Sequence, residues 1–76
     1  MNIVYIVESV HMGNGVVMGV YPNEQSAMDK TTNHEKMFLL DGWQSVSDGM
    51  HLVSLRVVKW DMDTQSHTIV YMSYFS

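Results

Sequence analysis

A chain of 76 residues and 8.7 kDa has room for one domain and a thin core; it is 46% hydrophobic and 16% charged, with no cysteine and a formal net charge of −4. A domain near this length buries only roughly 60% of the surface its unfolded chain exposes, and a core of this size rarely nets more than ~3–5 kcal/mol. The missing cysteine excludes a disulfide framework, a thiolate zinc site and a cysteine nucleophile, which leaves packing or association to stabilise the chain.

The cations Lys30, Lys36, Arg56 and Lys59 form no basic stripe, so nucleic acid binding by phosphate neutralisation is not expected. The eight acids are spread from Glu8 to Asp63 without a dense run, which argues equally against mimicry of DNA charge. No segment approaches the ~18 apolar residues of a membrane span. The first residues lack the basic stretch of a signal peptide and meet Glu8 early, so a cytoplasmic protein with no membrane partner is expected. Low charge favours association, and methionine serves both loose cores and adaptable binding surfaces. Met18, Met28, Met37 and Met72 are expected to fill core.

Along the chain, Ile3 to Val10 is apolar at both parities, the pattern of a central strand. Asn14-Gly15 is a strong hairpin signal because both residues accept positive φ. Val16 to Tyr21 is the returning strand, with Gly19 marking a bulge or a close approach. Pro22 to Gln25 opens a helix capped by Asn23, with Glu24 in the positive first turn. Ala27, Met28, Thr31, Glu35, Phe38 and Leu39 keep helical spacing, but Thr31, Thr32 and Asn33 are weak helix formers. Two ends therefore stay open, one near Asn33 and one at Leu40 with Gly42 as the stop.

Asp41 to Gly49, carrying Trp43, is a loop. Met50 to Asp61 is a third strand with Val53, Leu55 and Val57 on one side and Leu52, Val58 and Trp60 on the other. After a polar turn, His67 to Phe75 alternates Ile69, Tyr71 and Phe75 against Val70, Met72 and Tyr74. The expectation is a single α+β domain over residues 1–76, a small antiparallel sheet of about four strands with one helix in the order ββαββ. One helix covers one sheet face at most, which leaves the other to solvent or a partner.

The polar motifs point away from catalysis. His11, His34, His51 and His67 have no metal-ligand spacing, and Phe38 stands where a zinc-protease helix would place its second histidine. Asp61-Met62-Asp63-Thr64 has two carboxylates, but a phosphoryl-transfer nucleophile loop needs a parallel sheet and its threonine one place later. A calcium loop would need a central glycine and a carboxylate where Met72 stands. Gly13-Asn14-Gly15 lacks the following helix that makes a phosphate cradle specific. No metal, cofactor or catalytic residue is assigned. The aromatics give a different signal: Trp60, Tyr71 and Phe75 suit a core, whereas Trp43 in a polar loop and Tyr74 and Phe75, read as the end of the last strand, suit a protein-binding surface.

The stretch Val4-Tyr5-Ile6-Val7-Glu8-Ser9, a short glycine turn, Gly19-Val20-Tyr21 leading into a capped helix with Glu24 and Ala27, and a strand ending Val57-Val58-Lys59-Trp60-Asp61-Met62-Asp63 resembles small uncharacterised bacteriophage proteins. The likeness covers about two-thirds of the chain and carries over no active-site residue. It implies a viral accessory product that adjusts a host process. The leading expectation is therefore a non-enzymatic protein that inhibits or modulates a host protein, such as a defence or transcription component, with a homo-oligomer expected as well. The alternative is a small-ligand or nucleotide-binding module with its pocket at an oligomer interface, and a metal-dependent hydrolase ranks last.

Overall fold

Two hairpins and one helix account for the chain, whose computed structural model describes residues 2–76. The elements are β1 (Ile3–His11), β2 (Asn14–Tyr21), α1 (Glu24–Leu40), a single 3-10 turn (Asp48–Met50), β3 (Val53–Asp61) and β4 (Ser66–Phe75). The strands form one antiparallel sheet in the order β2-β1-β3-β4. This is the α+β, ββαββ arrangement the sequence predicts. β1, apolar at both parities, takes the centre beside β3, and each of the two has a hydrogen-bonded strand on both edges.

The first turn lies two residues earlier than Asn14-Gly15: Met12 (φ 51) and Gly13 (φ 88) make it, and His11 pairs with Asn14. Register is the reason. Pro22 ends β2, and a turn at Asn14-Gly15 would bring Tyr21 opposite Glu8, leaving Tyr5 to Val7 of β1 unpaired on that side. The observed turn pairs Tyr21 with Tyr5. Val7 then faces Gly19 while Glu8 faces Val17, so Met18 is an extra residue and forms a bulge. Gly19 is also the close approach: a Cβ there would meet the Tyr21 ring at 2.6–2.8 Å.

The second hairpin pairs Asp61 with Ser66, and the Asp61 carboxylate accepts the backbone N–H groups of Asp63 (3.0 Å) and Thr64 (3.3 Å). The two carboxylates of this stretch thus belong to a turn, with Asp63 accepting from the Asn2 backbone N–H at 3.2 Å. Strand β3 begins at Val53, later than expected, because Asp48–Met50 turns. In β4, Val58 faces Ile69 and Val57 faces Tyr71, so Val70 is a second bulge. It breaks the expected alternation: Tyr71 and Phe75 point with Val57 and Val53, and Ile69 joins Met72 and Tyr74 on the other face.

The helix runs through to Leu40. At its start the Asn23 side chain accepts the Ser26 N–H at 2.8 Å, as expected of an N-cap. Thr31, which weakened the apolar pattern, is fully buried against the sheet and its hydroxyl donates to the Ala27 carbonyl at 2.9 Å, so its polarity is satisfied within the helix. At the other end Gly42 (φ +96) donates to the Leu39 carbonyl (3.2 Å) and Trp43 to the Phe38 carbonyl (3.0 Å), the bonding of a Schellman stop.

The helix packs on one sheet face with its Ala27 against Val7 and Val57, and Tyr5, Met18, Tyr21, Met28 and Tyr71 surround them. Met18 and Met28 fill core as expected. Met37 does not, being 57% exposed, and Met72 lies on the face away from the helix. With a shortest dimension of 17 Å the chain is two layers thick. Among the described residues no helix is long and apolar enough to cross a membrane.

Candidate functional site

Of the three aromatics singled out for binding, the fold gathers two in one cluster. Phe38 near the helix end meets Trp43 at 5.8 Å and Phe75 edge-on at 5.2 Å, and His11 closes edge-on against Trp43 at 6.2 Å. Trp43 is there because the Schellman stop turns the chain back and brings the residue after Gly42 against Phe38. Phe75 is only 2% exposed, so its ring closes this end of the core. The end of β4 is hydrogen-bonded to the loop after the helix: Gln44 and Ser76 exchange backbone hydrogen bonds of 2.9 and 3.0 Å, and Val46 donates to the Tyr74 carbonyl at 3.0 Å. Tyr74 is half-buried on the far face, its ring 4.8 Å from His51 and its hydroxyl donating to the Met72 sulfur.

Around this end large apolar side chains stand exposed among polar ones. An open cleft of ≈ 310 Å³ is lined by Asp41, Gly42, Trp43, Leu52 and Ser76. Leu52 is half exposed, and its carbonyl accepts the N–H of the highly exposed Met12. Met50 and Leu40 are also strongly exposed on the segments that lead into the cleft. Sequence reasoning found Trp43 but missed Met12, Met50 and Leu52; Met12 could have been found only by placing the turn correctly, since a residue at a hairpin tip has few neighbours to cover it.

The second surface is the sheet face opposite the helix. Register puts Val4, Ile6, Glu8 and Val10 of β1, Val17 and Val20 of β2, Ser54, Arg56, Val58 and Trp60 of β3, and His67, Ile69, Met72 and Tyr74 of β4 on it. Glu8 and Arg56 face each other on the central strands, with Arg56 donating from Nε (3.0 Å) and Nη2 (2.6 Å) to the same Glu8 oxygen, Oε2. A recess of ≈ 110 Å³ beside them is lined by Glu8, Arg56, Val58, Trp60, His67 and Ile69. The Trp60 ring is already stacked on His67 at 4.7 Å and 25°. A base could stack on that side of the indole only by displacing His67, and a phosphate would compete with Glu8 for Arg56.

The four histidines have separate surroundings. His11 and His67 lie against tryptophans, and His51 bonds to the Asp48 carbonyl with the Asp48 carboxylate 3.4 Å away. His34 is half-buried on the helix with no partner for Nε2; burial first, and then the Lys30 charge, hold its pKa below 6.5. Among the described residues no three His, Asp or Glu side chains are grouped to hold a metal ion. On the helix side Tyr71 donates to Glu35 at 2.6 Å, and that hydrogen bond, followed by burial and the Glu35 charge, raises the phenol pKa above 10.0. Compared with family models, curated proteins and solved structures, the chain matches none of them.

Proposed function

We propose that the chain is a non-enzymatic domain that acts by binding another protein, as a bacteriophage accessory product that modulates or inhibits a host protein such as a defence or transcription component. The observation that carries the binding reading is the apolar end, where Met12, Met50 and Leu52 stand exposed near the cleft lined by Trp43. Grouped exposed apolar side chains mark interaction surfaces, and methionine with tryptophan is a composition enriched at interfaces. Inhibition would be steric, because a domain this small can block a site by occupying it. The accessory role rests on the resemblance to small phage proteins.

The test is affinity capture from bacterial lysate with the immobilised chain and with Leu52→Asp, whose side chain is half exposed and whose fold is checked by circular dichroism. A protein retained stoichiometrically by the wild type and lost from the folded variant supports the reading. Equal retention by both overturns the assignment to this end. A large thermal shift with nucleotides and no captured protein would replace protein binding with the ligand-binding alternative.

A further inference from the structure

The sheet face away from the helix has a charge pattern that selects its own occupant. Of four basic and eight acidic residues in the chain, only Glu8 and Arg56 lie on this face, and they pair with each other. The face is therefore neutral and otherwise almost wholly apolar, while the rest of the surface carries the whole net charge of −4. That excess disfavours contact between copies through the charged parts of the surface. No element covers the face, yet Val58 at its middle is 3% exposed while Val20 and Ile69 nearer the edges are 58% and 46% exposed, so an apolar rim surrounds a close-packed centre.

We infer that this face is the interface of a two-fold dimer, with a second copy of the chain packed sheet on sheet. Aligned packing of two such faces keeps strand directions within about 30°. A two-fold axis lying between the sheets, along the strands and midway between β1 and β3, exchanges those two strands between copies. Glu8 and Arg56 stand directly opposite each other in register, so this axis sets each Glu8 over the partner's Arg56 and each Arg56 over the partner's Glu8. An axis across the strands through the same point would set like charges together, so the pair also selects the packing. Arg56 uses Nε and Nη2 on one carboxylate oxygen; among the described residues Nη1 of Arg56 and Oε1 of Glu8 have no hydrogen-bond partner within the chain. Those two atoms are the ones a second copy would join by a charge-assisted bond.

The area is sufficient but not generous. Four strands ~4.8 Å apart and about eight residues of ~3.3 Å each cover about 500 Å² per copy. Both copies together reach about 1,000 Å², the lower bound of a specific interface and the size class of weak complexes, for which roughly micromolar to millimolar concentrations are the range to search. The interface is separate from the cleft lined by Trp43 and Leu52, so the two readings stand or fall independently.

Sedimentation equilibrium from about 1 μM to about 1 mM brackets that range, and the wild type should pass from 8.7 kDa to twice that mass. Glu8→Arg alone and Arg56→Glu alone each place like charges across the axis and should weaken dimerisation by about a hundredfold or more. Mixed in equal amounts, the two variants should form a heterodimer, because arginines then face glutamates across the axis. Val20→Lys is the control if a charge reversal fails to fold, since Val20 is exposed and outside the ion pair; it should stay folded by circular dichroism and monomeric. A wild type that remains at 8.7 kDa throughout overturns the inference. So does a dimer that survives Val20→Lys and both reversals, which would place the contact at a sheet edge, or a mixture of folded variants that fails to associate.

Discussion

Gly19→Ala measures how tightly the Tyr21 ring is laid over β2. Gly19 is not in a left-handed conformation, so alanine fits its backbone and should gain about 0.5–1 kcal/mol by reducing the freedom of the unfolded chain. Against this stands the ring: its Oη, Cε2 and Cζ atoms would lie 2.6, 2.7 and 2.8 Å from the new Cβ. Carbon contacts settle near ~3.5–4.0 Å, so the ring must retreat by about 1 Å. Tyr21 packs on the core cluster of Val7, Ala27 and Val57, and overpacking of this kind costs about 1–3 kcal/mol. The net expectation from these terms is a loss of about 0.5–2 kcal/mol. In a Tyr21→Ala background the clash is gone and only the backbone gain is left, so the coupling of the two positions should be about 1–3 kcal/mol. Urea unfolding of the four members of the cycle, followed by far-ultraviolet circular dichroism, gives the number. A coupling below about 0.3 kcal/mol, the usual scatter of additive pairs, would refute the placement of the ring.

Met12→Asn should stabilise the first hairpin by about 0.5 kcal/mol in the same assay, because Met12 holds φ 51 and asparagine tolerates that region better than methionine. Gly42→Ala should cost about 1 kcal/mol, since its φ of +96 closes the helix and sets Trp43 on Phe38; the indole fluorescence should shift with it. His34 binds its proton less readily folded than unfolded, so its contribution is full above pH 6.5 and is lost as pH falls from there through its lowered pKa. His34→Gln should flatten that part of the stability profile. For Tyr71 the sign is opposite: its raised pKa makes the Glu35 bond fully effective below pH 10.0 and lost above it, and Tyr71→Phe should cost about 1 kcal/mol at neutral pH.

Local signals were enough for the element order. Apolar residues at both parities mark β1 as central, Asn23 marks the helix start, and Gly42 marks one of two possible stops. Each of these depends on a few neighbouring residues and the preferences of one backbone segment. The cluster of Phe38, Trp43 and Phe75 was half legible: the aromatics stood out, but the loop around Trp43 gave no sign that it packs inward on Phe38.

The tertiary structure alone decided register, and with it every face. Sequence settled that a small α+β domain would leave one sheet face without a helix, because one helix cannot cover both. It could not say which residues form that face, since the bulges at Met18 and Val70 each flip the alternation of the residues beyond them and exist only in relation to the partner strand. Nor could it bring Glu8 and Arg56 together, 48 positions apart in the chain, as the one charged pair on an otherwise apolar face. Side-chain periodicity is a property of one strand, whereas facing is a property of pairs, and pairs are made only when the chain closes on itself.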